Sequence, residues 1–289
     1  FLKRQSCRLC RKLFFINHMH DGHTVVIGGT GFIGEYVVRA LLREERTAIS
    51  FGRSSQKSLT ESIRESDAVV YLLQPESGLL EETLRAIAQG GVATFLYAST
   101  LLVYAEGESP CDESSILQPI GSYAEKKLAE ERRVMQFQDE HPEIRVIITR
   151  LANVYGDTKN KGFIGRIFNQ ITEQENGTDI TIAGNGRQIR DYVLVDDVAS
   201  GITRLLLHES ASGVINVSTG VGTSLLEIVT AAEQIAGKKL AYAFGAALQE
   251  AQSVVGNPAK LASYISWQPE PLIEAGLRKT YERYIVKAT

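Results

Sequence analysis

The chain has 289 residues, a formal net charge of −3, 44% hydrophobic residues and 22% charged residues. This balance excludes a disordered or fibrous chain, and the slight acidic excess argues against a nucleic-acid partner. Three cysteines are too few for a disulfide framework, so we expect a reducing compartment, the cytoplasm. No apolar run reaches the roughly 18 residues that a membrane-spanning helix needs, so we expect no membrane partner.

Residues 1–21 differ in composition from the rest of the chain. The first 20 contain five Lys or Arg residues and no acidic residue. Cys7, Cys10, His18 and His20 carry zinc-binding side chains, but their spacing is not that of a standard zinc finger. An Arg-rich, acid-poor stretch is also typical of a transit-peptide remnant. We expect a basic extension without a function of its own, and no metal site.

A strand, a glycine-rich turn and a helix are predicted in succession near the start of the chain. The β-branched run HTVVIGG occupies 23–29, and apolar residues at helical spacing follow over 30–45. Glycines in such a turn let the backbone approach a pyrophosphate at the helix N-terminus. We therefore expect a dinucleotide cofactor here, with a ligand-free turn as the alternative. The residues expected to contact the cofactor are Gly28, Gly31, Phe32, Ile33 and Gly34.

The second predicted strand, TAISF at 47–51, indicates which dinucleotide to expect. An NAD site has an acidic residue at the end of this strand, where it bonds the ribose 2′-hydroxyl. Here the chain continues instead with Gly52, Arg53 and Ser54. A cation and a hydroxyl suit a 2′-phosphate, so the sequence favours NADP(H). NAD(H), with Arg53 stacked on the adenine, is the alternative.

Further strands alternate with helices along the chain. Strands predicted at 67–73, 93–99 and 144–150 indicate a parallel, doubly wound sheet of the Rossmann type. Ligands of such a sheet lie beyond the carboxyl ends of its strands. Ser99 and Thr100 stand at one such end. We expect Ser99 to border the cofactor and Thr100 to hydrogen-bond the reacting oxygen.

The helix predicted at 122–137 carries a candidate acid/base pair. Tyr123 and Lys127 are four residues apart, so they share one face within about 6 Å. A cation beside a phenol favours the phenolate, so we expect the pKa of Tyr123 to be lowered. Such a tyrosine exchanges a proton with a sugar hydroxyl or carbonyl while a nicotinamide exchanges the hydride. An ordinary surface contact is the alternative.

Five motifs, in this order, resemble an extended short-chain dehydrogenase/reductase of the NAD-dependent epimerase/dehydratase family, which acts on nucleotide sugars. They are IGGTGFIG, YASTLLVYA, SYAEKKLAEE, RLANVYG and RQIRDYVLVDDVASGI. The resemblance implies hydride transfer at a sugar carbon, expected at C4. It implies Tyr123 as acid/base, Lys127 on the nicotinamide ribose and Thr100 in the family's Ser/Thr position.

The resemblance also implies contacts to a nucleotide-sugar substrate. It assigns Asn153 and Arg190 to the diphosphate side, a task that suits a planar guanidinium. An ion pair of Arg190 with Asp191 or Asp197 is the alternative. A homodimer is implied as a partner, although the segment whose helix often joins the family's dimer interface is shortened here.

The chain departs from the family pattern in three places. Between Arg53 and Asp67 there is room for one helix, so we expect an outer strand of the sheet to be missing. Leu73, expected next to the cofactor, stands where the family has small alanines. Leu101 and Leu102 occupy the positions of an Asp-Glu pair in the family's 4,6-dehydratases. Because leucine cannot transfer a proton, we expect no dehydratase activity.

Two chemistries remain for a nucleotide-sugar substrate. One is C4 epimerisation, in which hydride leaves and returns to the opposite face. The other is a one-way 4-ketoreduction or alcohol oxidation. NADPH favours reduction and the resemblance favours epimerisation. Two further alternatives are an NADPH-dependent reductase of a non-sugar carbonyl and a catalytically weak NADP-binding protein.

The predicted elements divide into two interleaved lobes. A dinucleotide-binding domain is expected over 22–153 and 191–208, and a smaller α+β substrate-binding lobe over 154–190 and 209–289. Within the smaller lobe, the Asn-Gly pair in ITIAGNGRQIR predicts a β-hairpin over 180–190.

Overall fold

The computed structural model describes residues 23–52, 55, 58–107, 110–172, 180–247, 251–270 and 272–288. Its centre is a parallel sheet of six strands. They are β1 (His23–Ile27), β2 (Thr47–Phe51), β3 (Ala68–Tyr71), β4 (Thr94–Thr100), β5 (Arg145–Leu151) and β9 (Gly213–Val217). Their order across the sheet is β2-β1-β3-β4-β5-β9, and every pairing is parallel.

Helices cover both faces of this sheet. Along the described part of the chain, the helices of this sheet and of the smaller lobe are α1 (Phe32–Arg43), α2 (Leu59–Arg64), α3 (Leu80–Gln89), α4 (Ser122–Glu140), α5 (Phe163–Thr172), α6 (Val195–Leu207), α7 (Leu225–Ala236), α8 (Ala259–Tyr264) and α9 (Ile273–Ala288). Val26 and Val70 face α1 and α6, whereas Val25 and Val69 face α2, α3 and α4. Because both faces of the inner strands β1, β3, β4 and β5 are buried, those strands are mainly apolar rather than alternating.

The predicted doubly wound Rossmann-type sheet is therefore confirmed. In the described part of the chain β2 forms one edge of the sheet, with a short helix, α2, between it and β3. This agrees with the outer strand that was expected to be missing. The carboxyl ends of β1, β3 and β4 lie side by side, which brings the predicted cofactor residues to one edge.

The smaller lobe contains two further sheets. Their strands are β6 (Asn153–Tyr155), β7 (Ile180–Ala183), β8 (Ile189–Leu194), β10 (Gly222–Ser224), β11 (Tyr242–Gly245) and β12 (Ser253–Val254). β8 pairs with β6, β10 and β12, and β7 pairs with β11. The helices α5, α7 and α9 pack together through an apolar core that includes Phe168, Ile228 and Leu277.

The hairpin predicted over 180–190 is wrong. β7 and β8 belong to different sheets, and β7 pairs in parallel with β11. The intervening turn has two glycines at positive φ, Gly184 at 62° and Gly186 at 72°. The Gln188 side chain donates to the Ala183 carbonyl at 3.0 Å. The Asn-Gly pair does form a turn. The strands on either side of it do not pair with each other, because β7 pairs with β11 and β8 pairs with β6, β10 and β12.

The pairing of two strands differs from the predicted division into lobes. β9, over 213–217, belongs to the central sheet, because the crossover helix α6 returns the chain parallel to β5. β8 pairs with β6, β10 and β12 rather than with the central sheet, whereas 191–194 was expected in the cofactor domain. Across the described residues no helix is both long and apolar enough to cross a membrane.

Candidate active site

The turn between β1 and α1 has the backbone conformation of a phosphate site. Gly28 has φ of +86°, and the Gly31 N–H donates to the Gly28 carbonyl at 2.9 Å. A Cβ on Gly34 would lie 2.1 Å from that carbonyl oxygen, so no larger residue fits. α1 begins at Phe32 without a side-chain cap. The N–H groups of its first turn, including that of Ile33, are therefore available to an anion.

The ends of β3 and β4 lie beside this turn. Leu73 Cδ2 is 3.0 Å from the position of a Cβ on Gly28, so the leucine side chain covers the turn. Ser99 is 4% exposed, and among the described residues its buried Oγ has no hydrogen-bond partner. Thr100 Oγ1 accepts from the Leu102 N–H at 3.3 Å. A buried hydroxyl without a partner is unfavourable, so Ser99 suits a polar ligand.

Lys127 is held deep under this crevice. Its ammonium has three N–H donors, and they reach Ala98 O at 2.9 Å, Leu73 O at 3.0 Å and Tyr97 Oη at 3.1 Å. The side chain is only 3% exposed. Burial lowers the pKa of Lys127 to about 8, although the Glu130 carboxylate opposes this. All three donors are thus directed at acceptors within the protein.

Tyr97 and Glu130 complete the surroundings of Lys127. The Tyr97 hydroxyl donates to Glu130 Oε2 at 2.6 Å, and Glu130 lies 3.7 Å from the Lys127 ammonium. That ammonium also lies 4.7 Å from the centre of the Tyr97 ring. Burial and the Glu130 carboxylate raise the pKa of Tyr97 far above its ordinary value. Neither residue was predicted from the sequence; the available signals were a tyrosine within β4 and a glutamate three residues after Lys127.

Tyr123 lies in the first turn of α4, and its side chain remains 37% exposed. Burial of the phenol raises the pKa of Tyr123 to about 12, and the carboxylates of Glu130 and Glu76 add to this. The expected lowering of this pKa is therefore wrong for the structure described. The helical spacing relates Tyr123 to Lys127 as predicted, but burial opposes the phenolate and Glu130 partly neutralises the lysine.

A second buried cluster anchors the opposite flank of α4. Glu131 receives hydrogen bonds from Arg150 on β5 at 2.8, 3.1 and 3.3 Å, and both side chains are almost fully buried. The Arg150 guanidinium lies 4.8 Å from the centre of the Tyr104 ring. The Tyr104 hydroxyl donates to Asn216 Oδ1 on β9 at 2.7 Å. This network joins α4 to two strands and so fixes the helix that carries Tyr123.

The two predicted substrate residues lie on paired strands. Asn153 begins β6 and is in register with Tyr192 on β8, and Arg190 is two residues earlier on β8. Arg190 is 6% exposed, and its Nη1 donates to Ile189 O at 2.8 Å. Pairing and register bring Asn153 and Arg190 close together in the smaller lobe.

Asp191 and Asp197, the alternative ion-pair partners of Arg190, both accept hydrogen bonds from other groups. Asp191 accepts from Thr219 N and Oγ1 at 3.0 and 2.7 Å and from Gly220 N at 2.9 Å. Asp197 accepts from Glu270 N at 2.9 Å. Burial raises the pKa of Asp191, and these hydrogen bonds oppose the shift.

The remaining predicted residues either lack a proton-transferring group or lie outside the described part of the chain. Leu101 is buried and Leu102 is half-buried, and neither offers a proton-transferring group beside Thr100. Arg53 and Ser54 lie outside the described residues, as do Cys7, Cys10, His18 and His20. No cluster of three His, Cys, Asp or Glu side chains able to hold a metal occurs in the described ranges.

One cavity of about 300 Å³ lies away from this crevice, between α1 and α6. Its lining residues include Tyr36, Arg39, Arg43, Asp196, Arg204 and Arg283. None of the candidate site residues lines it. The candidate site lies instead at the carboxyl ends of β1, β3 and β4. The glycine turn, the hydroxyls of Ser99 and Thr100 and the ammonium of Lys127 define it.

Comparison with known proteins gives a family for this fold and site. The sequence profile of the NAD dependent epimerase/dehydratase family matches residues 71–218, about half of the chain. The uncharacterized UDP-glucose epimerase YtcB of Bacillus subtilis is 29% identical over 189 residues, 65% of this chain and 57% of the relative. GDP-6-deoxy-D-mannose reductase of Pseudomonas aeruginosa is 32% identical over 200 residues, 66% of each chain. For five of the curated relatives the match spans 47% to 60% of their length.

Solved structures share the fold across nearly the whole chain. UDP-glucuronic acid 4-epimerase from Bacillus cereus, in complex with UDP-glucuronic acid and NAD, superposes with a TM-score of 0.81. That superposition covers 92% of this chain and 99% of the other at 21% identity. At this identity the likeness is one of fold.

Proposed function

Because the chain belongs to the NAD dependent epimerase/dehydratase family, we propose that it is an NAD(P)-dependent enzyme that transfers hydride at a nucleotide-linked sugar. The reacting carbon is C4, and Tyr123 is the acid/base. The observation that carries this proposal is the meeting of three elements at one edge of the sheet. They are the glycine turn after β1, the Ser99-Thr100 end of β4 and the buried Lys127 of α4, which is bonded to Leu73 and Ala98 carbonyls.

The residues present fit a dinucleotide. The glycine turn leaves the N–H groups of α1 open to a pyrophosphate, and the unpaired, buried Ser99 hydroxyl offers a partner to a polar group of the cofactor. When bound, the nicotinamide supplies or accepts the hydride. Leu73 covers the turn beside Gly28 and shields this region from water. Lys127 anchors the floor of the crevice.

Tyr123 and Thr100 handle the oxygen of the reacting carbon. With a pKa of about 12 the Tyr123 phenol is protonated at neutral pH, so it is ready to donate a proton to a ketone oxygen. Thr100 supplies a second hydrogen bond once its hydroxyl turns from the Leu102 N–H. In the oxidative direction Tyr123 must first lose its proton, and the buried Lys127 is the cation four residues further along α4.

The substrate class rests on the relatives and on the smaller lobe. The names of the curated relatives describe UDP-glucose epimerases and a GDP-6-deoxy-D-mannose reductase. Arg190 offers a guanidinium and Asn153 an amide to a substrate diphosphate, close together on β8 and β6. Epimerisation and 4-ketoreduction use the same residues. The buried Leu101 leaves the dehydratase reaction without a proton-transferring group.

For the cofactor, NADP(H) is preferred over NAD(H). β2 ends at Phe51 and is followed by Gly52, Arg53 and Ser54, with no carboxylate for a ribose 2′-hydroxyl. Replacing Arg53 by Ala is expected to weaken NADPH binding about tenfold, which is the effect of one lost charge-assisted bond of about 1.4 kcal/mol, and to leave NADH unchanged. Isothermal titration of both cofactors measures this. Equal losses for both cofactors would instead indicate that Arg53 stacks on adenine.

The decisive test combines ligand binding with one variant. NADP(H) or NAD(H) is expected to raise the melting temperature, and UDP, GDP or dTDP to raise it further with cofactor present. Tyr123→Phe is expected to keep cofactor binding and to lose turnover. No stabilisation by any nucleoside diphosphate, with no effect of Arg190→Ala, would point to a non-sugar carbonyl substrate. Cofactor binding without turnover on any sugar would indicate a binding protein.

Ser99 offers a matched test of the cofactor site. Ser99 and Ser218 are both buried hydroxyls without a partner among the described residues, at the ends of β4 and just after β9. Ser99→Ala is expected to weaken cofactor binding several-fold, since about 1 kcal/mol is lost with one neutral hydrogen bond. Ser218→Ala is expected to leave binding unchanged. Equal effects of both variants would remove Ser99 from the site.

The lobe division, the homodimer and the cytoplasmic location stay proposals. The cofactor domain is built on the central sheet, and the lobe around α5, α7 and α9 binds the substrate. Three cysteines in the chain support a reducing compartment. Light scattering with and without cofactor tests the homodimer.

A further inference from the structure

Lys127 is connected to the protein surface by two side chains. Its ammonium donates to Tyr97 Oη at 3.1 Å, and Tyr97 donates to Glu130 at 2.6 Å. Tyr97 is fully buried, whereas the Glu130 side chain is 15% exposed. The two hydrogen bonds therefore form a continuous path from a buried cation to solvent, and both point outward.

The other ionisable groups near this path are engaged elsewhere. On α4, Glu131 is bonded to Arg150, and Lys126 pairs with Glu76 at 3.0 Å. On β3, the Tyr71 ring stacks on Tyr97 with centroids 5.8 Å apart, and its hydroxyl bonds Ser77 at 3.0 Å. Tyr123, at the start of α4, is the remaining neighbour. Glu130 is the carboxylate that contacts the path directly.

We propose that Tyr97 and Glu130 form a proton relay between Lys127 and solvent, and that the enzyme therefore catalyses a net oxidation or reduction. This inference rests on the proposed function. Epimerisation at C4 removes one hydride and one proton and returns both, so it requires no exchange with solvent. A net oxidation releases one proton in every turnover, and that proton must leave the site for solvent.

In the oxidative direction the relay works as follows. The C–H bond of the alcohol breaks and its hydride passes to an oxidised nicotinamide cofactor, while the alcohol proton passes to the Tyr123 phenolate as the C=O bond forms. Tyr123 regains its phenolate by giving a proton to the Lys127 amine. The Lys127 ammonium gives a proton to Tyr97 as Tyr97 gives its own to Glu130, which releases it to water. One alcohol yields one ketone, one reduced cofactor and one proton, and reduction reverses each step.

The geometry supports the steps at Lys127. The hydrogen bonds already have the donor order that outward transfer needs, from lysine to tyrosine and from tyrosine to glutamate. A lysine whose pKa is lowered to about 8 by burial releases its proton far more readily than an exposed one. Tyr97 keeps its proton between transfers, because its pKa is raised.

Two relay variants with matched controls test this in the full chain with NADP⁺. Tyr97→Phe and Glu130→Gln break the path, and Glu130→Asp keeps a carboxylate. Tyr71→Phe removes a hydroxyl from the stacked tyrosine outside the path. Glu125→Gln removes an exposed carboxylate from the same helix. UDP-glucose is the probe: its NADP⁺-coupled oxidation is followed by absorbance, and its conversion to UDP-galactose by product analysis.

Tyr97→Phe and Glu130→Gln are expected to slow the NADP⁺-coupled oxidation about tenfold or more and to raise its solvent deuterium isotope effect, as for loss of a proton-transfer group. Glu130→Asp is expected to recover most of the rate. Any UDP-galactose formation and the NADP⁺ affinity are expected to stay within about twofold for all variants. The proposal is overturned if both relay variants match the controls, or if rate and NADP⁺ affinity fall together.

A measurement without turnover keeps the two proposals distinguishable. Proton exchange of the Lys127 ammonium with water is measured by ¹⁵N NMR, its signal being identified by its loss in Lys127→Arg. Tyr97→Phe is expected to slow this exchange about tenfold, and Tyr71→Phe to leave it unchanged. Unchanged or faster exchange in Tyr97→Phe refutes the relay. Absence of NADP(H) and NAD(H) binding refutes the proposed function while this measurement still decides the relay.

Discussion

Two buried clusters on α4 contain the same kinds of side chain but have different roles. On one flank Lys127, Tyr97 and Glu130 lie beside the crevice, and the acid retains contact with solvent. On the other flank Arg150, Tyr104 and Glu131 lie in the core, and the acid is fully buried. Each cluster has a cation, a tyrosine and a carboxylate.

The difference lies in whether the cation can change charge. Burial acts against the charged guanidinium of Arg150, but the hydrogen bonds and charge of Glu131 raise the pKa of Arg150 above its already high value. Burial lowers the pKa of Lys127 to about 8. The arginine cluster is therefore a permanent anchor for α4, and the lysine cluster is able to pass protons. Although they are adjacent in the chain, Glu130 belongs to the lysine cluster and Glu131 to the arginine cluster.

Removing each cation separates the two roles, beginning with the largest effect. Lys127→Met is expected to lower turnover by about 10²- to 10⁴-fold, as for loss of a proton-transfer group. Glu130 keeps its bond to Tyr97 and its contact with solvent, so cooperative unfolding is retained. Steady-state rates and thermal unfolding measure the two effects. A variant that unfolds before it can be assayed would give Lys127 the structural role assigned here to Arg150.

Arg150→Met is expected to act mainly on stability. It leaves the Glu131 carboxylate buried without a partner, which costs about 3–5 kcal/mol of unfolding free energy. Urea unfolding at pH 7 measures the loss. The double variant Arg150→Met with Glu131→Leu is the control, because replacing both charges by apolar groups is expected to restore most of the stability. A loss of less than about 1 kcal/mol in the single variant would contradict the anchoring role.

Between pH 8 and 10 the cation of the lysine cluster is expected to lose its charge, whereas the cation of the arginine cluster keeps its charge. The folded-state pKa of Lys127, about 8, lies below the ordinary value of 10.5. Below pH 8 both the folded and the unfolded chain hold this proton, so the full cost of burying the charge is present. Above the folded pKa the folded chain releases the proton while the unfolded chain keeps it. Stability therefore rises with pH, by roughly 2 kcal/mol from pH 8 to 10 for this one group.

The pH effect is measured as a difference between variants. Subtracting the unfolding free energy of Lys127→Met at each pH removes the contribution of the tyrosines, whose raised pKa values act in the opposite direction above pH 10. A difference that stays flat from pH 8 to 10 would show that Lys127 is not depressed in the folded chain.

The smallest effects compare the two tyrosines. Tyr97→Phe and Tyr104→Phe each remove one buried hydroxyl, and each is expected to cost about 1 kcal/mol of unfolding free energy. Turnover is expected to fall for Tyr97→Phe alone, because Tyr104 bonds Asn216 rather than the lysine. Parallel denaturation and rate measurements check both statements. Equal losses of turnover would erase the distinction between the clusters.

Local features of this chain were predictable because their causes are local. The glycine spacing predicts a turn in which a side chain at Gly34 has no room, because a Cβ there would lie 2.1 Å from the Gly28 carbonyl oxygen. The second strand matches its predicted range at 47–51. At α7, local residues set both ends, since Ser224 forms a capping box and Gly237 ends the helix in the left-handed conformation. Such signals depend on residues within one helical turn or one strand.

The candidate site was predictable only as far as helical spacing reaches. Tyr123 and Lys127 share a face of α4 because they are four residues apart. The direction of the Tyr123 pKa shift was wrong, because spacing carries no information on burial or on the carboxylate at Glu130. The bond between Tyr97 and Glu130 spans 33 residues. No periodicity in either segment relates the two residues.

The amino-acid sequence by itself determined the alternation of strands and helices, the glycine turn and the pairing of a phenol with an ammonium on one helix. Sterics and the 3.6-residue repeat act over a few residues, so these features are written locally. The tertiary structure alone decided which strands pair, as β7 joining β11 shows. It also decided that Glu130 faces Tyr97 while Glu131 faces Arg150. Charge and proton affinity depend on desolvation and on partners that only the folded chain brings together.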